Sequence, residues 1–539
     1  MAKSFIVFCF AVLATLIATG NMFQKGFYSS QDNMHPLRLS DYAACRKDGQ
    51  VPCRYVNQSG YNCGYPLYNF YAPFSYEVGL SLKTLSFNIL DYVSSIKATY
   101  IFVTLFGFMG MYLFTKKYST EQGSVLSAFL YTIVPYKALD LYVRGSLAEY
   151  VALGVLPWLL YSIEIYDSKY KKRFFYVAIL TISILSHNLF PVLFGPLILF
   201  FIVKNKNKTI TKKQFYIDSL MCLGLTAFFL LPSILERSLT TNATMTSGYF
   251  RYINHFATIS QLFISRFWGF GASLWGPVDD ISFQIGHLHW ILVAISLAIG
   301  FKNKKVVVLT GLFLFYLFLT HNKSTFIWQL VYPLQFLQFP WRFLGPAIFI
   351  ASFIPSLVFK KNKFIFISII VTSFFLYGPY FKAEKWDPDL SDSKKFSGDY
   401  LLDQQRSGLP DYWPIYGKEL PVSACKNEPY YESIFVDISN YSRKTNQVSF
   451  QAKISENNQE ISLPLVYFPS WKQYINSLPP KEAEYNKQTG MITIKLDKGD
   501  YNVVLLKTNT NIEKIANYIS IFFILLLPLI YIKKTWLKK

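Results

Sequence analysis

The first twenty residues, MAKSFIVFCFAVLATLIATG (1–20), carry one charge, Lys3, and whether they are a cleaved leader or a retained helix fixes the sidedness of everything downstream. A short apolar region ending in small residues fits a signal peptide. The retained helix is the preferred reading, because it makes the number of apolar stretches even and so agrees with a basic tail on the inner side. Counted with 4–20, the stretches are 97–114, 123–137, 148–166, 174–187, 189–203, 215–235, 285–301, 306–320, 343–359, 364–380 and 515–532, twelve in all. Several are shorter than the roughly 20 residues of a straight span.

Of the 539 residues 52% are hydrophobic, and they fall in long blocks, not in the short alternations of a soluble core. The expectation is therefore a polytopic α-helical membrane protein. A net charge of +21 would suit nucleic acid, but the basic residues sit between the blocks. Lys116-Lys117, Lys169 with Lys171-Lys172-Arg173, the run from Lys204 to Lys213, Lys302 with Lys304-Lys305, Lys360-Lys361 with Lys363, and the Lys533-Lys534 and Lys538-Lys539 tail occupy every second connection. That alternation marks the cytoplasmic side, places both termini there, and leaves membrane lipids, not nucleic acid, as the partner of the charge.

The other connections are longer, notably 21–96, 236–284 and 381–514, which places the bulk of the extramembrane chain outside the cytoplasm. In the first, SSQDNMHPLRLSD (29–41) leads into a short surface helix expected from about 36 to 47, with Pro36 suited to its first turn and Gly49 to its end. Asp32 and His35 enter that helix N-terminus, where backbone N–H groups favour a bound phosphate. In the last, QVSFQAKI (447–454), ISLPLVYF (461–468), MITIKL (491–496) and YNVVLL (501–506) are strand-like, so a small extracytoplasmic β domain is expected at about 440–508. The division that follows is 1–380 as transmembrane domain with a structured first outer loop 21–96, 381–514 as extracytoplasmic region, and 515–539 as anchor and cytoplasmic basic tail. Cys9 and Cys222 fall within spans as packing residues; Cys45, Cys53, Cys63 and Cys425 lie outside, where one or two disulfides can persist in any of three pairings. No close Cys/His spacing suggests zinc.

Five polar clusters fall at the outer edge, where burial of charge is costly and usually lines a cavity. They are Asp32/His35/Arg38; Arg54 with GYPLYNFYAPFSYEVG (64–79); Asp140, Arg144 and Glu149 around LYVRGSLAEY (141–150); Ser186-His187-Asn188; and Arg342 in LQFPWRFLGP (337–346). Each has a plainer alternative. Asp32 also fits a helix cap, Arg144 and Glu149 a structural ion pair, His187 a turn contact, Arg342 an interfacial anchor, and the aromatics of 64–79 an interfacial belt. GFGASLWG (269–276) lacks nucleotide-loop spacing and is set aside.

Together with LYVRGSLAEYVALGVLPW (141–158), LSHN (185–188), SGLPDYWP (407–414) and YFPSWKQYI (467–475), these runs in this order resemble the bacterial membrane proteins labelled 6-pyruvoyl-tetrahydropterin synthase-related, similar to the YfhO type, within the glycosyltransferase-C (GT-C) superfamily. The label names no pterin chemistry here. The resemblance runs from about residue 20 to the last span and implies a GT-C-like helical domain in a bacterial inner (plasma) membrane, with its site facing the periplasm or exterior. It implies a polyprenyl-phosphate sugar donor and a glycan or lipid acceptor. It places Asp32 as general base at the acceptor hydroxyl, and Glu149 as a second acidic residue that orients a basic group or holds a divalent cation such as Mg or Mn. Charge on the departing lipid phosphate calls for guanidinium or imidazole, for which His35, Arg54, Arg144, His187 and Arg342 are the candidates. The rival readings are a transporter or flippase of lipid-linked sugars, which needs a polar path through the inner leaflet, and a non-catalytic envelope assembly protein, whose polar clusters would share no pocket.

Overall fold

A computed structural model of the chain describes residues 2–204, 212–241, 245–276, 278–359, 363–409, 411–476 and 478–531. Lysines of the basic connection at 205–211, Lys360-Lys361 and the tail from 532 lie outside the described residues. The first helix, α1 (Ala2–Thr19), packs through Val7, Ala11, Ala14 and Ala18. Next come α2 (His35–Lys47), α3 (Phe74–Leu85), α4 (Tyr92–Thr115), α5 (Glu121–Thr132) and α6 (Leu147–Ile165). Side-chain caps start two of these helices: Asp91 accepts from Ser94 N at the head of α4, and Thr120 from Gly123 N at the head of α5. Where α4 crosses α6, a Cβ on Gly107 would stand 3.2 Å from Gly154 Cα. Small residues let two backbones approach in this way without a hydrophobic driving force between them.

The bundle continues with α7 (Tyr170–Ser186), α8 (Phe190–Lys204), α9 (Lys212–Leu225), α10 (Ala227–Leu235), α11 (His287–Gly300), α12 (Lys304–Thr320), α13 (Leu344–Val358) and α14 (Lys363–Tyr377), and closes with α15 (Asn511–Tyr531). Twelve spans are not what these helices give. Among the described residues six are long and apolar enough to cross a membrane, or up to eight if two bent pairs each make one span. The pairs break by 69° between α9 and α10 and by 91° after α12. The apolar run 123–137 is split between the twelve-residue α5, buried from Gly123 to its end, and a single turn at Pro135–Ala138, and 285–301 gives only the fourteen residues of α11. Run length alone does not separate a spanning helix from one enclosed by its neighbours.

The helix at 36–47 starts at His35 and ends at Asp48, with Gly49 following in the left-handed conformation at φ 85°. It is not a surface helix, because His35, Leu37, Leu39, Asp41 and Cys45 among others are buried. Nor are the aromatics of 64–79 an interfacial belt: Tyr65, Tyr68, Phe70 and Tyr76 are packed inside the protein. Disulfides join Cys45 to Cys53 and Cys63 to Cys425; Cys222 is buried in the bundle, whereas Cys9 is exposed on α1.

A short pair links β1 (Phe27–Tyr28) to β2 (Trp386–Asp387). Beyond it lie β3 (Val436–Arg443), β4 (Gln447–Ile454), β5 (Gln459–Val466), β6 (Trp471–Ile475), β7 (Lys481–Glu482), β8 (Glu484–Tyr485), β9 (Met491–Leu496) and β10 (Gly499–Lys507). They form antiparallel sheets in the orders β3-β4-β10-β6-β7 and β5-β9-β8. On β4 the alternation that turns Val448, Phe450, Ala452 and Ile454 inward builds a second apolar core. Tyr55 and Phe70 from the first long connection insert into that core, and the Tyr55 hydroxyl donates to Val466 O at 2.5 Å.

A candidate active-site cavity

At the end of the bundle where the long connections gather lies a cavity of about 840 Å³. Its wall draws on separated stretches, namely 31–38, 70–72, 144–148, 187–189, 233–237, 245–250, 270–273, 336–342, 407–408 and 411–412. One side is cationic. The turn Leu139–Arg144 is π-helical and ends at Gly145, which takes φ 67° and on which a Cβ would meet Ser30 Oγ at 2.5 Å. Glycine is therefore required there both for the left-handed backbone and for the approach of the chain bearing Asp32. Asp32 N donates to Arg144 O at 2.8 Å and Gln31 N to Val143 O at 3.0 Å, so the two candidate residues are joined through their backbones.

The Arg144 side chain pairs with Asp140 and, through Nη1 at 2.9 Å, with Glu149 Oε2. Arg342 Nε stands 3.1 Å from the same Glu149 oxygen, while its Nη1 donates to Leu337 O at 2.8 Å. The other oxygen of Glu149 accepts from the Tyr136 hydroxyl at 2.5 Å. One buried carboxylate thus orients two guanidiniums, and the Arg144 guanidinium also lies over the Trp341 ring at 4.6 Å. His187 closes this side. Its Nδ1 accepts from Leu189 N at 3.1 Å, and burial, followed by the nearby Arg342, lowers the imidazole to about 4, so it is neutral. Arg237 adds a guanidinium over the Phe336 ring at 4.4 Å.

The other side holds Asp32, Arg38 and Asp411. Among the described residues the Asp32 carboxylate accepts no hydrogen bond, and the N-cap of α2 is Met34, so Asp32 does not cap that helix. Arg38 stacks on Tyr71 at 4.6 Å. Burial pushes the Asp411 carboxyl up to about 6, an effect that Arg38 opposes and Asp32 reinforces.

Asp32, Arg144, His187 and Arg342 are therefore brought to one cavity, and three expected residues are not. His35 lies behind the wall; its Nε2 faces Gly145 O at 2.7 Å and so carries the proton, and its Nδ1 meets the Tyr76 hydroxyl at 2.9 Å. It fastens α2 to the Arg144 turn and does not line the cavity. Arg54 is committed elsewhere, to Asn69 at 2.6 Å, Phe228 O at 3.1 Å and Asn517 at 2.8 Å. Glu149 is buried behind Arg144 and Arg342, with both oxygens taken, which fits an orienting role and leaves neither oxygen free for a cation. Among the described residues no group of three or more His, Cys, Asp or Glu is placed to hold a metal ion. Sequence reading did not single out Asp411, although SGLPDYWP (407–414) was noted for its resemblance, nor Arg237, in a long connection without a local pattern, nor Ser273 within the discarded glycine-rich run, which also lines the cavity.

The model of the membrane-protein family described as 6-pyruvoyl-tetrahydropterin synthase related domain matches residues 68–384. The chain belongs to this family. The matched region of this family member carries Arg144, Glu149, His187 and Arg342; Asp32, Arg38 and Asp411 fall outside it. No curated protein matches the sequence. Among solved structures this member of the family is similar to the archaeal oligosaccharyltransferase AglB from Archaeoglobus fulgidus, in complex with an inhibitory peptide and a dolichol-phosphate, at 11% identity and a TM-score of 0.39. The match covers 79% of this chain and 61% of that one, so the chain spans about three fifths of that protein.

Proposed function

We propose that this membrane protein is a glycosyltransferase of GT-C type in a bacterial inner membrane, moving a sugar from a polyprenyl-phosphate carrier to a glycan or lipid acceptor on the non-cytoplasmic face. The observation that carries the reading is a carboxylate that accepts no hydrogen bond among the described residues, Asp32, sharing one cavity with the guanidiniums of Arg144 and Arg342. Transfer needs a base for the acceptor hydroxyl and positive charge for the leaving phosphate, and the two requirements fall on adjacent walls. Asp32 takes the hydroxyl proton as the acceptor oxygen attacks the anomeric carbon. The bond to the phosphate oxygen breaks, and Arg144 and Arg342, held by Glu149, stabilise the charge that collects there. Neutral His187 supplies a polar edge without adding charge. No step is assigned to a metal ion.

The test is transfer from a polyprenyl-phosphate sugar by the full chain in lipid nanodiscs. Asp32→Asn is expected to abolish product with no loss of folded protein; undiminished transfer by that variant removes Asp32 from the mechanism. Passage of the lipid-linked sugar across liposomes with no transfer product replaces this reading with the transporter.

A further inference from the structure

We propose that Arg38, Asp411 and Tyr412, with Tyr71, form the subsite that receives the acceptor, and that it takes an uncharged sugar. This rests on the transferase reading. The two sides of the cavity differ in how their charges are satisfied. Arg144 and Arg342 each lie within ion-pair distance of Glu149, although Arg342 Nε makes no hydrogen bond, whereas Asp411 Oδ1 is buried with neither an ion pair nor a hydrogen-bond partner among the described residues. A buried carboxylate oxygen in this state calls for a donor, and a sugar hydroxyl supplies one.

Arg38 presents the complementary donors. Its guanidinium lies over Tyr71, and a Cβ on Gly408, which takes φ 84°, would come within 2.7 Å of its Nη2. Glycine at 408 is thus what lets the 407–412 loop close over the guanidinium. Tyr412 stacks on Phe70 at 5.7 Å with rings inclined by 12°, giving an aromatic wall beside the carboxylate. Acceptor, donor and aromatic surface together match the alternating hydroxyls and C–H face of a pyranose. Within the subsite itself Asp411 and Arg38 contribute one charge of each sign, which leaves no net positive charge to favour a uronate. The loop is held rather than free: Tyr61 N donates to Gln405 O at 2.8 Å, Cys425 N to Tyr61 O at 2.8 Å, and Cys63–Cys425 closes the far end.

The test uses the full chain in nanodiscs with a radiolabelled polyprenyl-phosphate sugar and three disaccharides, cellobiose, chitobiose and digalacturonate, measuring disaccharide binding and transfer separately from donor binding. A neutral disaccharide is expected to bind and to accept sugar, with Asp411→Asn raising its KM about tenfold, the loss of one charge-assisted hydrogen bond. Asp411→Glu is expected to recover part of that loss, and both variants to bind the donor as the unaltered chain does. Preference for digalacturonate, no binding of either neutral disaccharide at millimolar concentration, an unchanged KM in Asp411→Asn, or an equal loss of donor affinity overturns the subsite. Failure of the unaltered chain to bind the donor overturns the transferase reading instead, so the two failures are distinct.

Discussion

Near each end of α7 an arginine is buried against a carboxylate, and only one of the two arrangements borders a cavity. Arg173 pairs with Asp218 through Nε at 2.8 Å and Nη2 at 2.7 Å, and the hydroxyls of Tyr166 and Tyr531 complete both oxygens at 2.6 and 2.7 Å. That cluster is closed; it clasps α7 to α9 and α15. At the other end Glu149 is divided between Arg144 and Arg342, and both guanidiniums reach the cavity wall. Buried ion pairing is common to both ends, so it does not mark a site. What distinguishes one from the other is guanidinium left facing open volume.

The comparison can be broken by substitution. Asp32→Asn is expected to lower sugar transfer by about a hundredfold or more, with the melting curve of the purified protein unchanged, which would separate chemistry from scaffold. Glu149→Gln removes the charge that orients both guanidiniums; transfer is expected to fall to a few per cent, and stability in denaturant titration by about 3 kcal/mol, because Arg342 loses its carboxylate partner and Arg144 keeps only Asp140. Asp218→Asn is expected to cost a similar amount of stability, yet to leave transfer per folded molecule within about twofold. Equal loss of transfer in Asp218→Asn and Glu149→Gln would erase the distinction between the two ends.

The smallest effect concerns pH. Asp411 is raised to about 6 from its ordinary 3.8, so between those values the folded protein holds a proton that the unfolded chain releases. Stability from this group is therefore full at low pH and lost as pH rises through about 6, an amount on the order of 3 kcal/mol. Asp411→Asn should flatten that part of a stability profile measured between pH 4 and 7. An unchanged profile would assign it to other groups.

Legibility followed the range of the interactions. Pro36 and Gly49 bracketed α2 because capping is decided within one turn, but its burial under the long connections is not a local property. Grouping Asp140, Arg144 and Glu149 worked because they lie within ten residues of one another. Arg54 sat equally well in an outer loop by sequence and is nonetheless committed to Asn69 and Asn517, 15 and 463 residues away. Asp411 lay inside SGLPDYWP (407–414), a run noted only for its resemblance, and nothing in that run marked the carboxylate itself until the fold removed its water.

By itself the sequence determined that this is a membrane protein, because several of its apolar blocks are long enough to cross a bilayer. It also raised the expectation that polar residues of several stretches crowd one end. Only the tertiary structure decided which of those residues meet. Partner choice among buried charges depends on separations of a few ångströms between segments hundreds of residues apart, and neither periodicity nor spacing encodes that distance.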